Sequence, residues 1–421
     1  MTNAVTLRQL RDFAGPLGLC GQYPTYIAPT VSPMTTTDVT WTQANARRLA
    51  RQGLAGAESP AFDSPADVTG AMLGAHAQVL SAGELSVALR LPSGATRADV
   101  REALWTDRTL TKTYGPRGTV HLLPKADLPM WTGALSAVPA GPNPWPDHVR
   151  MTPEQTDEVV AAVRDALAGQ PLTVDELTDA IVDRTGTWAG DRVMEAFQDK
   201  WPRWRQATHT AAHRGALAFG PNRGRKVTYT SPGVTPMDGH AAVDALVQRY
   251  LYAYGPATPA HFATWLAAPK AWAAEVFTGL AAAGRVEEVG FEGSPAWVVS
   301  GDTSFRDAAP PRGVRLLPYF DAYVIACRPR ERLFPGAAFG RALAGGQAGN
   351  YPVVLVNGTV AGVWHQRRSG RRIALTVEPI GTALATAGAR NDLAAQVNRV
   401  AEALEARAEL TVGRVTVGPH A

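Results

Sequence analysis

The sequence predicts an α+β protein: three tandem winged-helix units followed by a C-terminal β-rich subdomain. Three observations point there. The order helix, helix, helix, β-hairpin recurs three times between residues 40 and 303, with similar lengths though diverged residues. From Arg312 onward the texture changes to alternating apolar runs broken at Asn357-Gly358 and Ser369-Gly370, both two-residue hairpin signals. The chain has 421 residues, more than one hydrophobic core serves, so several domains are expected.

The elements follow in order. Residues 1–39 are read as an N-terminal extension with four prolines in the first 33 residues, and Met34 as the true start. Residues 40–137 form the first winged unit. "TWTQANARRLARQGL" is a helix capped by Thr40 or Thr42. Ser64-Pro65-Ala66-Asp67 sets an N-cap, a proline at the first helical position and an acid in the first turn. Ser81-Ala82-Gly83-Glu84 reads as a capping box for the next helix. "TRADVREALW" is led by Thr96, and "TLTKTYGPRGTVHLL" is a hairpin turning at Gly115-Pro116. Residues 150–235 and 238–303 repeat the unit, and 312–421 form the β-rich domain with a basic hairpin and a terminal helix from about Asp392 to Arg407. The glycine-rich stretch 335–350 is read as a loop, and Asp321 in "PYFDAYV" as a structural acid within a strand.

Composition excludes several classes. There is no run of apolar residues long enough to span a membrane, and the first residues lack a signal-peptide core. Cys20 and Cys327 stand far apart, so neither a disulfide scaffold nor a cysteine zinc site is expected, and the compartment is read as a reducing cytoplasm. His209 and His213 have the spacing of two zinc ligands but lack the glutamate of H-E-x-x-H; no metal and no cofactor are expected. Walker loops, Gly-x-Ser-x-Gly elbows and dinucleotide fingerprints are absent. Net charge is only +4, so the distribution of charge carries more information than its sum. Only five of 41 basic residues are lysine, and arginine's planar fork suits phosphate. The second wing gathers Arg223, Arg225 and Lys226, with His213 and Arg214 on the preceding helix. The C-terminal hairpin gathers Arg367, Arg368, Arg371 and Arg372 around a tight turn. Both groups are expected to contact DNA phosphates. The third wing carries Glu287, Glu288 and Glu292 and is expected to be structural.

The chemical candidates sit in "GAHAQVLSAGE". Capping signals place His76 and Gln78 in a connector between helices, and an extended connector turns residues two apart to one side, beside a helix N-terminus. Two polar residues at a helix junction are usually structural, so spacing alone leaves their role open. The stretches "TWTQANARRLARQGL", "GAHAQVLSAGELSVALRL", "LTKTYGPRGTVHLLP", "RYLYAYGPATPAHFATWL", "LLPYFDAYV" and "VVLVNGTVAGVW" occur in this order. Together they resemble the AlkZ/YcaQ-like winged-helix DNA glycosylases over about Val39 to the C-terminus.

That resemblance implies excision of bulky or crosslinking alkylated bases, and catalytic roles for the residues standing where the family has Gln-x-Gln or Gln-x-Asp. Here the tripeptide is His76-Ala77-Gln78, a His-x-Gln variant. Gln78 matches the second position; His76 departs at the first, which leaves open the lesion spectrum and the division of labour. Arg117 and His121 of the same unit are expected to contact DNA. The expected partner is double-stranded DNA carrying alkylated bases, met by a monomeric, nucleoid-associated cytoplasmic enzyme. Two other readings compete: a dimeric winged-helix transcription regulator that does not need His76 or Gln78, and an interaction module that has lost catalysis through the glutamine-to-histidine change.

Overall fold

The computed structural model describes residues 37–143, 145–196, 199–305 and 311–419. Residues 1–36, including Cys20 and Met34, lie outside the described residues.

Each winged unit is built by one local logic. In the first, Ser64 accepts a hydrogen bond from the Asp67 amide and starts helix Pro65–Ala71. A two-residue strand, Ala75–His76, precedes helix Leu80–Ala88. Helix Arg97–Trp105 follows with a capping box between Thr96 and Asp99. Strands Leu110–Tyr114 and Val120–Pro124 close the unit. Val120–Pro124 lies in the middle of this antiparallel sheet, flanked by the two other strands.

The second unit repeats the pattern. Helices Pro153–Ala166, Val174–Thr185 and Thr208–His213 are followed by strands Ala218–Arg223 and Lys226–Thr230, with Leu172–Thr173 completing the sheet. The third has helices Gly239–Tyr254, Pro259–Leu266 and Lys270–Ala282 and strands Val286–Phe291 and Ser294–Val299. Its sheet gains an outer strand from far upstream: Asp38–Val39 runs parallel to Gly290 and Phe291. Those two residues, read from sequence as extension, are therefore part of the fold.

Helix Trp41–Arg51, capped by Thr40 through Gln43, was expected within the first unit but ties down other parts. Arg48 is buried and donates to the carbonyls of Gly255, Pro256 and Arg328, and Asn45 donates to Gly358. Helix Leu128–Ala137 likewise packs on Gly239–Tyr254, so closely that a Cβ on Gly133 would stand 2.9 Å from the Ala242 Cβ.

The C-terminal sheet has five strands, Val314–Leu317, Val353–Val356, Thr359–Ser369, Arg372–Pro379 and Arg407–Val412, in sequence order. Asn357 and Gly358 both take positive φ and make the first predicted turn; the second falls one residue later than predicted, on Gly370 and Arg371, because Ser369 still pairs with Arg372. Helix Ala387–Ala403 covers this sheet and starts earlier than expected because Thr386 supplies the cap. The first unit and this sheet share one core cluster, in which Ala75, Ala77, Leu85 and Leu122 meet Trp364, Ile373 and Val397. The second unit keeps its own core around Trp204 and Ile181.

Two local readings change. Asp321 is not inside a strand: it caps helix Ala322–Ala326 and forms a fully buried, bidentate pair with Arg90 at 2.8 and 2.9 Å. The glycine-rich stretch 335–350 contains helix Ala337–Ala342.

Candidate active site

The site grows from the edge strand of the first unit. Ala75 pairs with Leu122 and His76 with His121, and the Ala77 amide donates to the Val120 carbonyl at 2.7 Å. Ala75 and Ala77 enter the shared core; His76 pairs opposite His121, and Gln78, past the end of the strand, turns its side chain to the Val120 amide. Helix Leu80–Ala88 approaches this strand closely, since a Cβ on Gly83 would lie 2.8 Å from the His76 carbonyl oxygen.

The helix does not begin as expected. Its first residue is Leu80, its N-cap is Val79, and no side chain caps it. Glu84, assigned from sequence to a capping box with Ser81, is instead buried and held by Arg97 and Arg101 at 2.7 and 2.9 Å. The tertiary ion pairs outcompete a local cap because Glu84 faces inward.

His76 and Gln78 differ in depth. His76 is 7% exposed, its ring 4.5 Å from Phe320 and 5.2 Å, nearly edge-on, from His121. Its Nδ1 is buried with no hydrogen-bond partner among the described residues. Burial, helped by the charge of Arg117, pushes its pKa down to about 4, so the ring is neutral at pH 7. Gln78 is exposed, and its Oε1 lies 3.4 Å from the Val120 amide, which donates to it. It lines a cleft of about 850 Å³ between the first and second winged units, together with Tyr114, Phe219, Trp201 and His209. The amide thus faces the cleft, while the imidazole lies in the interior against Phe320 and His121.

The residues expected to meet DNA fall into different environments. His121 is a correction: only 4% exposed, it cannot lie on a phosphate backbone. Its Nδ1–H donates to the Thr119 carbonyl at 2.9 Å, which leaves a lone pair on Nε2. A Cβ on Gly115 would come within 2.8 Å of that ring, so the wing turn needs glycine there. Arg117 sits in the turn with φ of 62°, half-buried, one guanidinium N–H donating to the Trp265 carbonyl at 2.7 Å. His213 is half-buried, with its pKa lowered to about 4 by burial and by His209.

The second wing is exposed, but two of its three cations are occupied. Arg223 forms two 2.8 Å bonds to Glu176, Lys226 meets Asp175 at 3.0 Å, and Arg214 meets Asp157 at 2.5 Å. Arg225, in the turn, enters no ion pair among the described residues. In the C-terminal hairpin, Arg367, Arg368, Arg371 and Arg372 are exposed, and none has a carboxylate partner among the described residues. Glu292 of the third wing is tied to Arg332 and the Trp41 amide, and Glu287 accepts from Gly301.

Sequence reasoning passed over Phe320 and the cleft aromatics. Phe320 carried one signal, its place beside Asp321 in "PYFDAYV"; its positive φ of 55° exists only in three dimensions. Among the described residues, no group of three or more His, Cys, Asp or Glu side chains is placed to hold a metal ion, and no helix is long and apolar enough to cross a membrane.

Comparison with known proteins places this geometry in a family. The profile "DNA glycosylase AlkZ-like" matches residues 69–403, which includes His76-Ala77-Gln78. A curated relative, an interstrand DNA cross-link repair glycosylase of Streptomyces sahachiroi, is 32% identical over 335 residues, 77% of this chain and 87% of that protein. The solved structure of the Streptomyces sahachiroi DNA glycosylase AlkZ superposes with a TM-score of 0.76 at 28% identity, covering 90% of this chain and all of that one. The chain therefore belongs to the AlkZ-like DNA glycosylase family, and its substrate is DNA.

Proposed function

We propose that this enzyme hydrolyses the N-glycosidic bond of N7-alkylated guanine in double-stranded DNA, including bulky and crosslinking adducts, with Gln78 and His76 as catalytic residues. The observation that carries the reading is the exposed Gln78 amide on the cleft, two residues from the buried, neutral His76 ring. The family supports it, and the cross-link repair activity named for the Streptomyces sahachiroi relative supports the bulky end of the lesion range.

The chemistry asks little of a base. N7-alkylguanine already carries positive charge and leaves readily, so the transition state is an oxocarbenium-like sugar approached by a weakly bonded water. Gln78 can hold that water through its amide oxygen. His76 remains uncharged, so it adds no positive charge beside the developing cation, and a weak base suffices for a proton lost late. Lys112 and Lys226 line the same cleft as Gln78, but Lys112 Nζ stands over the Phe219 ring and Lys226 pairs with Asp175, so we expect water rather than an amine to attack, leaving an abasic site and an intact strand. The setting we favour is base excision repair or self-resistance to a DNA-alkylating genotoxin, with the protein acting as a monomer.

The test incubates wild type, His76→Ala and Gln78→Ala with duplexes bearing N7-methylguanine, a bulky N7 adduct or an N7 crosslink. Release by wild type is read as alkali-labile sites and is expected to fall at least about 100-fold in Gln78→Ala. No release from any substrate would sink the substrate assignment; unchanged rates in both variants would sink the residue assignment. A borohydride-trapped protein–DNA adduct would replace water with an amine nucleophile.

A further inference from the structure

The wing turn Pro116–Gly118 is a ridge with a hollow on each side. Gly118 lines both the cleft that holds Gln78 and a second hollow of about 670 Å³ on the far side. That second hollow is walled by Arg117, by Thr156 and Asp157 in the first turn of helix Pro153–Ala166, and by His213 and Arg214. Its charges do not cancel. Asp157 is already paired with Arg214, while Arg117 has one carbonyl contact, to Trp265, and no carboxylate partner among the described residues. His213 adds an Nε2 that is buried and has no hydrogen-bond partner. The backbone of Arg117 is also held in the left-handed region, which residues other than glycine rarely adopt. An uncompensated guanidinium, a left-handed turn and the His213 side chain, whose Nε2 is buried and unpartnered, thus line one hollow.

We propose that Arg117 and His213 form a seat for a backbone phosphodiester of the damaged strand, next to the nucleotide whose sugar faces Gln78. The proposal rests on the glycosylase site described above. A phosphate there accepts charge-assisted hydrogen bonds from Arg117 and, once the His213 ring turns its buried Nε2–H toward the hollow, one from His213, and it neutralises a cation that would otherwise stand beside the oxocarbenium-like sugar. The wing turn then sets the register between backbone and catalytic amide, with the phosphate on one side of the ridge and the sugar on the other.

The test measures affinity for duplexes carrying a tetrahydrofuran abasic analogue, with each nearby phosphodiester replaced in turn by an uncharged methylphosphonate. In wild type, one linkage on the strand bearing the analogue is expected to weaken binding about tenfold. In Arg117→Ala the same replacement should add no further loss, and the slope of log K against log salt should become shallower by about 0.9. Arg117→Lys should keep the salt slope, and His213→Gln, which retains an N–H donor, should bind more tightly than His213→Leu. An equal methylphosphonate loss in wild type and Arg117→Ala, or sensitivity confined to the opposite strand, overturns the proposal. A purely structural Arg117 would lower affinity while leaving that loss and the slope unchanged, which also overturns it. Binding to the analogue needs no excision, so failure to release an alkylated base would overturn the substrate assignment and leave this result intact.

Discussion

Two basic hairpins of this protein look alike in sequence and differ in electrostatics. The second wing, Ala218–Arg223 with Lys226–Thr230, presents Arg223, Arg225 and Lys226. The C-terminal hairpin, Thr359–Ser369 with Arg372–Pro379, presents Arg367, Arg368, Arg371 and Arg372. In the wing, Glu176 and Asp175 from the start of helix Val174–Thr185 reach across to Arg223 and Lys226. Those carboxylates already favour a helix N-terminus, and the bidentate bond to Arg223 draws Glu176 further, to a pKa of about 2. The C-terminal turn has no such neighbour among the described residues, and only Arg368 is engaged, with the carbonyls of Gly370 and Leu404. Counting cations therefore misstates which surface is free to meet phosphate. A paired cation must break a bond before it makes one.

The contrast between paired and free charge can be tested at several strengths. Its extreme is the Arg90–Asp321 pair, both side chains fully buried. Asp321→Ala should lower unfolding free energy by about 3–5 kcal/mol in urea titration, because it strands a buried guanidinium. A loss below about 1 kcal/mol would show that the pair is solvated and the burial argument wrong.

Buried histidines shed charge instead of pairing it. The native pKa of His76, about 4, lies below its unfolded value of 6.5. The unfolded chain therefore binds more protons between pH 6.5 and 4, and stability is fully present above 6.5 and falls as pH drops through that window. Replacing His76 with Gln should flatten this acid loss by roughly 1–3 kcal/mol in melting experiments run from pH 7 to 4. For the same reason, the excision rate of wild type should show no titration near pH 6.5; an inflection there would mean that His76 is solvated in the enzyme–DNA complex.

The hairpins themselves come next. Arg371→Ala with Arg372→Ala should weaken duplex binding about tenfold at low salt and make the salt slope shallower by about 1.8. Arg223→Ala with Lys226→Ala should cost less than about threefold, since exposed pairs already absorb those charges. Equal losses in the two double variants would break the comparison. The smallest effect is a gain: Asp175→Asn with Glu176→Gln frees both wing cations and should tighten binding by about two- to threefold, measured by fluorescence anisotropy.

Much of the architecture was legible in the chain. Ser64-Pro65-Ala66-Asp67, Thr96 and Asn357-Gly358 produce local structure because their hydrogen bonds and dihedral preferences act within four residues. Ser81–Glu84 shows the limit of that reading. Its side chains match a capping box, yet Glu84 lies on the inward face of its helix, where Arg97 and Arg101 compete for it. His76 and Gln78 were legible as a motif in the connector between two helices. Their unequal depth was not legible, because Phe320 arrives from 244 residues downstream of His76.

By itself, then, the sequence determined the order of winged units, their caps and turns, and the identity of the His-Ala-Gln motif, all set by interactions between near neighbours. Only the tertiary structure decided which charges are free, how deep the imidazole lies, and that His121 belongs to the interior. Those properties depend on burial and on partners from distant segments. The long-range contacts of Glu84 with Arg97 and of Asp321 with Arg90 override what each residue would do alone.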